Sequence, residues 1–98
     1  MEMSGLTIVT DDTDKARILL VEDSPSLAAV YKNYLDTDGY DTETVDTGSA
    51  ALGRLEHDVP DLVLLDLRLP DMSGMEVLKR IHENNMPCAV VIVTAHAR

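Results

Sequence analysis

The sequence predicts an α/β protein, built as a parallel sheet with helices on both faces. Two observations support this prediction: runs of consecutive aliphatic residues at 18–21, 62–65 and 90–93, and helical segments that alternate with them. Aliphatic runs of this length are typical of strands buried on both faces, as in parallel sheets. Alternation of strands and helices with short connections then favours right-handed crossovers.

The first half of the chain contains clear start and stop signals. Residues 17–21 form the first predicted strand, after which Ser24 is a helix N-cap and Pro25 the first helical residue. The helix is expected to end just before Gly39, which can supply the positive φ of a C-terminal cap. A more polar strand at 41–46 is expected at an edge of the sheet. The helix carries one apolar stripe, made of Leu27, Val30, Tyr31, Tyr34 and Leu35.

The second half continues the alternation and completes one domain at 16–98. Its predicted elements are a helix from 48 to before Pro60, a strand at 61–66, a turn-rich segment at 70–74, a helix at 75–84 and a strand at 88–94. Residues 1–15 are mixed and polar, and they are interpreted as a leader with a short ordered piece at 6–9.

Composition narrows the class of protein. The 98 residues allow one small domain, and the net charge of -10 argues against direct binding of nucleic acid, which needs a basic face. Cys88 is the single cysteine, so no disulfide can form within the chain. No stretch approaches the length of a membrane span, and no signal peptide is apparent. A cytoplasmic location without membrane contact is expected.

Acidic residues follow two of the aliphatic runs. Glu22 and Asp23 close the first strand, Asp66 closes the third, and Thr94 closes the fourth. Ligands of open parallel sheets bind outside the carboxyl ends of the strands, so these side chains are expected to meet. Three carboxylates raise one another's pKa unless a cation neutralises them, and Mg2+ is the hard, oxygen-liganded ion that fits.

The same cluster suits phosphoryl chemistry. An aspartate can act as the nucleophile on phosphorus and form an aspartyl phosphate, with a metal offsetting the phosphate charge. The hydroxyl of Thr94 and the backbone amides of Arg68 and Ala95 can donate to phosphoryl oxygens. Each residue taken singly has a plainer interpretation as a turn, cap or strand residue, and only their conjunction at strand ends favours a site.

Four segments together resemble the receiver domain of bacterial two-component response regulators. They are ILLVEDS at 18–24, GSAAL at 48–52, PDLVLLDLRLPDMSG at 60–74 and VIVTA at 91–95. Residues 67–74 and 94–97 most resemble the receivers of sigma-54-dependent transcriptional activators. The resemblance covers residue 16 to the end, and it implies a flavodoxin-like (CheY-like) doubly wound sheet with strand order 2-1-3-4.

The resemblance also implies roles for individual residues. Asp66 would be the phosphoacceptor, and Mg2+ would be held by Glu22, Asp23, Asp66 and the backbone carbonyl of Arg68. Thr94 would contact the phosphoryl group and report it by shifting inward, while Ala95 would leave room for the phosphodonor and offer its amide. The donor would be a sensor histidine kinase, and the effect would pass to an output domain or a downstream protein outside this chain.

The chain departs from the family at its C-terminal end. A fifth strand, the last helices and the phosphate-pairing lysine of the family have no counterpart before Arg98, so the domain is expected to be C-terminally truncated. Lys15, Lys32 and Lys79 lie in the wrong elements to replace that lysine. Losing those elements would leave 88–94 as an apolar edge and uncover the sheet beside 27–35, so a dimer is expected.

The sequence is compatible with three functions. The first is a signalling switch that is phosphorylated on itself and is not otherwise an enzyme. The second is a magnesium-dependent phosphatase or phosphotransferase, but that class has an acid/base aspartate two residues after the nucleophile, where this chain has Arg68. The third is a receiver-like binding module without phosphotransfer. No glycine-rich phosphate loop follows any strand, which disfavours a nucleotide site.

Overall fold

A computed structural model describes residues 2–3, 6–7 and 15–93 and contains a parallel sheet flanked by helices. Two short antiparallel strands precede it, β1 (Glu2–Met3) and β2 (Leu6–Thr7). The sheet strands are β3 (Arg17–Val21), β4 (Asp41–Val45), β5 (Leu62–Asp66) and β6 (Ala89–Val93). The helices are α1 (Pro25–Thr37), α2 (Gly48–His57) and α3 (Gly74–Glu83). None of the helices in the described part of the chain is long and apolar enough to cross a membrane.

The strand order β4-β3-β5-β6 confirms the predicted 2-1-3-4 topology, counted from the first strand of the sheet. The polar strand β4 lies at an edge, as its composition predicted. Val21 pairs with Val45 on one side and with Leu65 on the other, so the three strands reach the same edge together. The residues that follow β3 therefore lie beside the end of β5.

The core lies between the sheet and helices α2 and α3. Alternate residues of β3 and β5 point to this face, while Ile18 and Leu20 are buried and point to the opposite face. Helix α1 lies on that opposite face. It connects β3 to β4 in one direction across the sheet, whereas α2 connects β4 to β5 in the other direction. Right-handed crossovers that run in opposite directions place their helices on opposite faces of the sheet. The buried cluster consists of Leu19, Val21, Ala51, Leu55, Val63, Leu65, Val77 and Ile81.

Helix α1 begins and ends where the sequence predicts, but its apolar stripe is only partly covered. Ser24 caps the helix by accepting a hydrogen bond from the Leu27 amide, and Gly39 has the expected positive φ of 95°. Val30 and Tyr34 are 49% and 71% exposed. The helix packs on the sheet along a line narrower than the predicted stripe, made of Leu27 and the residues one and two turns after it. No element in the described part of the chain covers the side of the helix that carries Val30 and Tyr34.

Element boundaries differ from the predictions by about one residue, within the usual uncertainty of helix and strand ends. The third helix begins at Gly74 because the Ser73 side chain accepts a hydrogen bond from the Met75 amide and caps it. Strand β5 begins at Leu62, one residue later than predicted, although the Asp61 amide still donates to the Arg17 carbonyl at 2.9 Å and the Asp61 carbonyl accepts the Ala89 amide at 3.0 Å. The leader expected at 1–15 contains β1 and β2, and most of it lies outside the described residues.

Candidate metal centre

Three carboxylates meet at the carboxyl edge of the sheet. Glu22 and Asp23 follow β3, and Asp66 is the last residue of the neighbouring strand β5. One oxygen of each carboxylate lies within 4.8 Å of an oxygen of the other two. Glu22 and Asp66 are only 5% and 3% exposed, whereas Asp23 is open to solvent. The cluster predicted from the strand ends is therefore present.

Backbone hydrogen bonds hold each buried carboxylate in place. The Glu22 amide donates to the Val45 carbonyl at 3.0 Å, which extends the pairing of β3 with β4 by one residue. The Glu22 side chain in turn accepts a hydrogen bond from the Ser24 amide at 3.0 Å. Asp66 Oδ1 accepts the Arg68 amide at 3.0 Å. Both side chains are thus tied to the backbone that follows them.

The electrostatics of the cluster favour a bound cation. Burial raises the pKa of Glu22, and the nearby carboxylates of Asp66 and Asp23 raise it further, against the opposing effect of the Ser24 amide. Lys32, the one basic residue of α1, donates instead to the Asp36 carboxylate at 2.8 Å and to the Thr42 carbonyl at 2.9 Å. An all-oxygen donor set with unneutralised charge fits Mg2+.

The segment after Asp66 folds back on itself. Arg68 and Ser73 form an isolated antiparallel bridge, and the Gly74 amide donates to the Leu67 carbonyl at 2.9 Å. Gly74 is buried against the Asp66 backbone, where a Cβ atom would clash with the Asp66 carbonyl oxygen. The turn predicted at 70–74 is thus a closed loop whose two ends both meet at Asp66.

One residue of this loop, Asp71, contacts the start of α2, which lies far from it in the sequence. The Asp71 carboxylate accepts hydrogen bonds from the amides of Gly48 and Ser49, at 2.8 and 2.9 Å. These amides lower the pKa of Asp71. The contact spans more than 20 positions of the chain, so no local pattern in the sequence indicates it. The turn composition around Asp71 was the only signal available.

A cleft of about 580 Å³ opens beside the cluster, between α1, β4 and the start of α2. Its charged lining residues are Glu22, Asp23, Lys32 and Asp46, and three of these four are acidic. Asp66 is not among its lining residues. Solvent and small ligands can therefore approach the cluster from the side of Glu22 and Asp23.

Two predicted site residues, Thr94 and Ala95, lie outside the described residues, and their roles stay predictions. The Arg68 side chain is exposed, and its amide is already directed at Asp66. The assignment of the Arg68 carbonyl to the metal also stays a prediction. Glu22, Asp23 and Asp66 are the predicted residues that the structure brings together.

Comparisons with known proteins give one consistent family. Residues 18–98 match the response regulator receiver domain family. The luminescence regulatory protein LuxO of Vibrio campbellii is 47% identical over 77 residues, which cover 79% of this chain but 17% of that protein. The DNA-binding response regulator MtrA of Mycolicibacterium smegmatis is 42% identical over 85 residues, which cover 86% of this chain and 36% of that protein. This chain thus spans well under half the length of either relative.

Solved structures agree with the sequence matches. The signal receiver domain of a putative LuxO repressor protein from Vibrio parahaemolyticus has a TM-score of 0.81 and 49% identity, covering 86% of this chain and 65% of that chain. The response regulator TrrA from Thermotoga maritima, in complex with Mg2+-BeF, has a TM-score of 0.79 and 33% identity, covering 84% of this chain and 71% of that chain.

Proposed function

This chain belongs to the response regulator receiver domain family, and on that premise we propose that it accepts a phosphoryl group on Asp66 with the help of Mg2+. Receiver domains of response regulators bind Mg2+ at an acidic pocket, and they interact with histidine kinases and output domains. The observation that carries the proposal is the convergence of Glu22, Asp23 and Asp66, with the Asp66 carboxylate almost fully buried.

Each acidic residue has a separate part in this proposal. Glu22 and Asp23, with Asp66 and the Arg68 carbonyl, would hold Mg2+, which when bound offsets negative charge on the phosphoryl oxygens. Asp66 Oδ1 is occupied by the Arg68 amide, and no described residue donates to Oδ2. We therefore assign Oδ2 as the attacking atom, with Thr94 and the Ala95 amide contacting the phosphoryl group.

The proposed transfer is a displacement at phosphorus. Asp66 Oδ2 forms a bond to phosphorus while the bond between phosphorus and the donor nitrogen of a phosphohistidine breaks. The electron pair of that bond stays on the leaving imidazole nitrogen. As a receiver domain of a response regulator the chain is not a classical enzyme. The reaction that we propose for it is its own phosphorylation. Phosphorylation would then change the surface that this chain offers to an output domain or a downstream protein.

Self-association is part of the same proposal. In the part of the chain that the structure describes, β6 is an edge strand, and its residues Val91 and Ile92 are exposed. Val30 and Tyr34 of α1 add further exposed apolar surface. Unpaired apolar edges tend to pair with another chain, so we propose a dimer, opposed in part by the net charge of -10. Sedimentation as a monomer at all concentrations and salt levels would refute it.

The location follows from the proposed donor. A sensor kinase draws its phosphoryl group from ATP, so the cytoplasm is the proposed place of action. The single cysteine, Cys88, is compatible with a reducing compartment.

Intact-mass measurement tests the proposed function directly. The chain is incubated with Mg2+ and phosphoramidate, beside Asp66→Asn and beside Asp38→Asn, which removes an exposed aspartate at the end of α1. We expect the gain of one phosphoryl group in the unaltered chain and in Asp38→Asn, and none in Asp66→Asn or with EDTA. Mg2+ binding without any phosphoryl gain would refute the transfer and favour a receiver-like binding module.

A further inference from the structure

The loop after the candidate phosphoacceptor is attached at its tip to a different helix. The ends of the loop are closed by the Gly74–Leu67 hydrogen bond and by the bridge between Arg68 and Ser73. Its tip, Asp71, reaches sideways to the first two residues of α2, Gly48 and Ser49. The loop is therefore held at three points: twice at its ends and once at its tip.

The contact completes the hydrogen bonding at the start of α2. The first amides of a helix have no partner within the helix. Thr47 accepts the hydrogen bond of the third helical amide, that of Ala50, at 3.0 Å, and its carbonyl accepts the fourth. Asp71 accepts the remaining two, and as an ionised carboxylate it also opposes the positive end of the helix.

The start of α2 is in turn connected to the other side of the acidic cluster. Thr47 lies two residues beyond Val45, whose carbonyl accepts the Glu22 amide at 3.0 Å. One route therefore runs from Glu22 through Val45 to the start of α2. The second runs from Asp66 through the loop to Asp71 and to the same helix end. Both sides of the acidic cluster are therefore connected to the start of α2.

Building on the proposed function, we propose that Asp71 is a positioning residue for the metal centre. Its carboxylate fixes the 67–73 loop against α2, and so sets where the Arg68 carbonyl stands relative to the carboxylates of Glu22 and Asp23. Asp71 touches neither the metal nor the phosphoryl group in this arrangement. Groups that orient metal ligands without binding the metal commonly set its affinity by one or two orders of magnitude.

The test measures Mg2+ affinity by calorimetry for the unaltered chain and four variants. Asp71→Ala removes the contact, and Asp71→Asn keeps one oxygen acceptor. Thr47→Ala removes a cap from the same end of α2 without detaching the loop. Asp46→Asn removes a charge from the cleft beside the cluster and leaves the loop attached.

We expect Asp71→Ala to raise the Kd for Mg2+ about tenfold and Asp71→Asn to raise it less. Thr47→Ala and Asp46→Asn are expected to stay within about twofold, since each tests only helix stability or only charge. The Mg2+ concentration that half-saturates phosphorylation should shift in parallel with Kd. An equal loss of affinity in Thr47→Ala or Asp46→Asn would overturn the inference.

The outcomes for this inference and for the proposed function are separable. Mg2+ binding that Asp71→Ala leaves unchanged would refute the positioning role alone. Mg2+ binding that depends on Asp71, without phosphoryl gain in any variant, would support the positioning role and refute the proposed transfer. Failure of the unaltered chain to bind Mg2+ would refute both.

Discussion

Two glycines that begin two helices offer a matched test of which contacts around the site are rigid. Gly48 is the first residue of α2, and Gly74 is the first residue of α3. Both are buried, and an added Cβ atom would clash at each. At Gly48 the obstacle is the flexible side chain of Met72, whereas at Gly74 it is the backbone of Asp66 and Leu67. The same substitution, glycine to alanine, should therefore have different consequences.

The structure gives the size of the difference. A Cβ at Gly74 would lie 3.0 Å from Leu67 Cα, 0.4 Å inside the 3.4 Å at which ordinary contact begins, and closer still to the Asp66 carbonyl oxygen. Overpacking against atoms that cannot rotate away costs about 1–3 kcal/mol. Loss of the hydrogen bond from the Gly74 amide to the Leu67 carbonyl adds about 1 kcal/mol. The better helix propensity of alanine returns at most about 1 kcal/mol.

We therefore expect Gly74→Ala to lower the free energy of unfolding by about 1–4 kcal/mol, at about 4–8 °C in Tm for each kcal/mol in a domain of this size. Gly48→Ala should change it by less than about 1 kcal/mol, because the unbranched Met72 side chain can turn aside. Urea and thermal unfolding followed by circular dichroism measure both. If Gly48→Ala were as destabilising as Gly74→Ala, the distinction between backbone and side-chain obstacles would be wrong.

Three further outcomes follow from the site and the core. Asp66→Asn should raise Tm in EDTA, because it relieves carboxylate repulsion. It should also abolish the stabilisation by Mg2+, which we expect to reach about 2.7 kcal/mol in the unaltered chain at a hundredfold excess over Kd. The pKa of Glu22 is raised in the folded protein. The contribution of Glu22 to stability is therefore present at pH values below its ordinary pKa of 4.5, and it is lost as the pH rises through the folded-state pKa. In EDTA, Glu22→Gln should accordingly raise Tm at pH 7 and have little effect at pH 4. In urea unfolding, Leu65→Ala should cost about 2–5 kcal/mol, whereas Glu43→Gln, which weakens an exposed pair with Arg54, should cost less than about 1 kcal/mol.

The sheet and the acidic cluster could be predicted because their signals are local. An aliphatic run such as 62–65 identifies a buried strand by itself, and a serine followed by proline identifies the start of α1. Parallel pairing then brings the residues that follow the strands to one edge without further information. Glu22, Asp23 and Asp66 could be assigned together on that basis, and the structure confirms that they meet.

The features that could not be predicted depend on distant parts of the chain. The attachment of Asp71 to α2 joins residues more than 20 positions apart, and a turn aspartate has many possible partners. The exposure of Val30 and Tyr34 also depends on what covers α1, which the periodicity of the helix does not reveal. An apolar stripe indicates that a face can be buried, but packing decides how much of it is.

Core packing and the geometry of the site are held by different interactions in this fold. The buried cluster between the sheet and helices α2 and α3 is aliphatic, and burial there is non-directional. The acidic cluster, by contrast, is held by hydrogen bonds of defined direction: the Glu22 amide to Val45, the Arg68 amide to Asp66, and the amides of α2 to Asp71. Because these bonds join backbone that leads directly to the proposed metal ligands, a loss among them should displace those side chains even where the core stays intact. Substitutions that affect metal binding without a matching loss of stability should therefore concentrate in these connections.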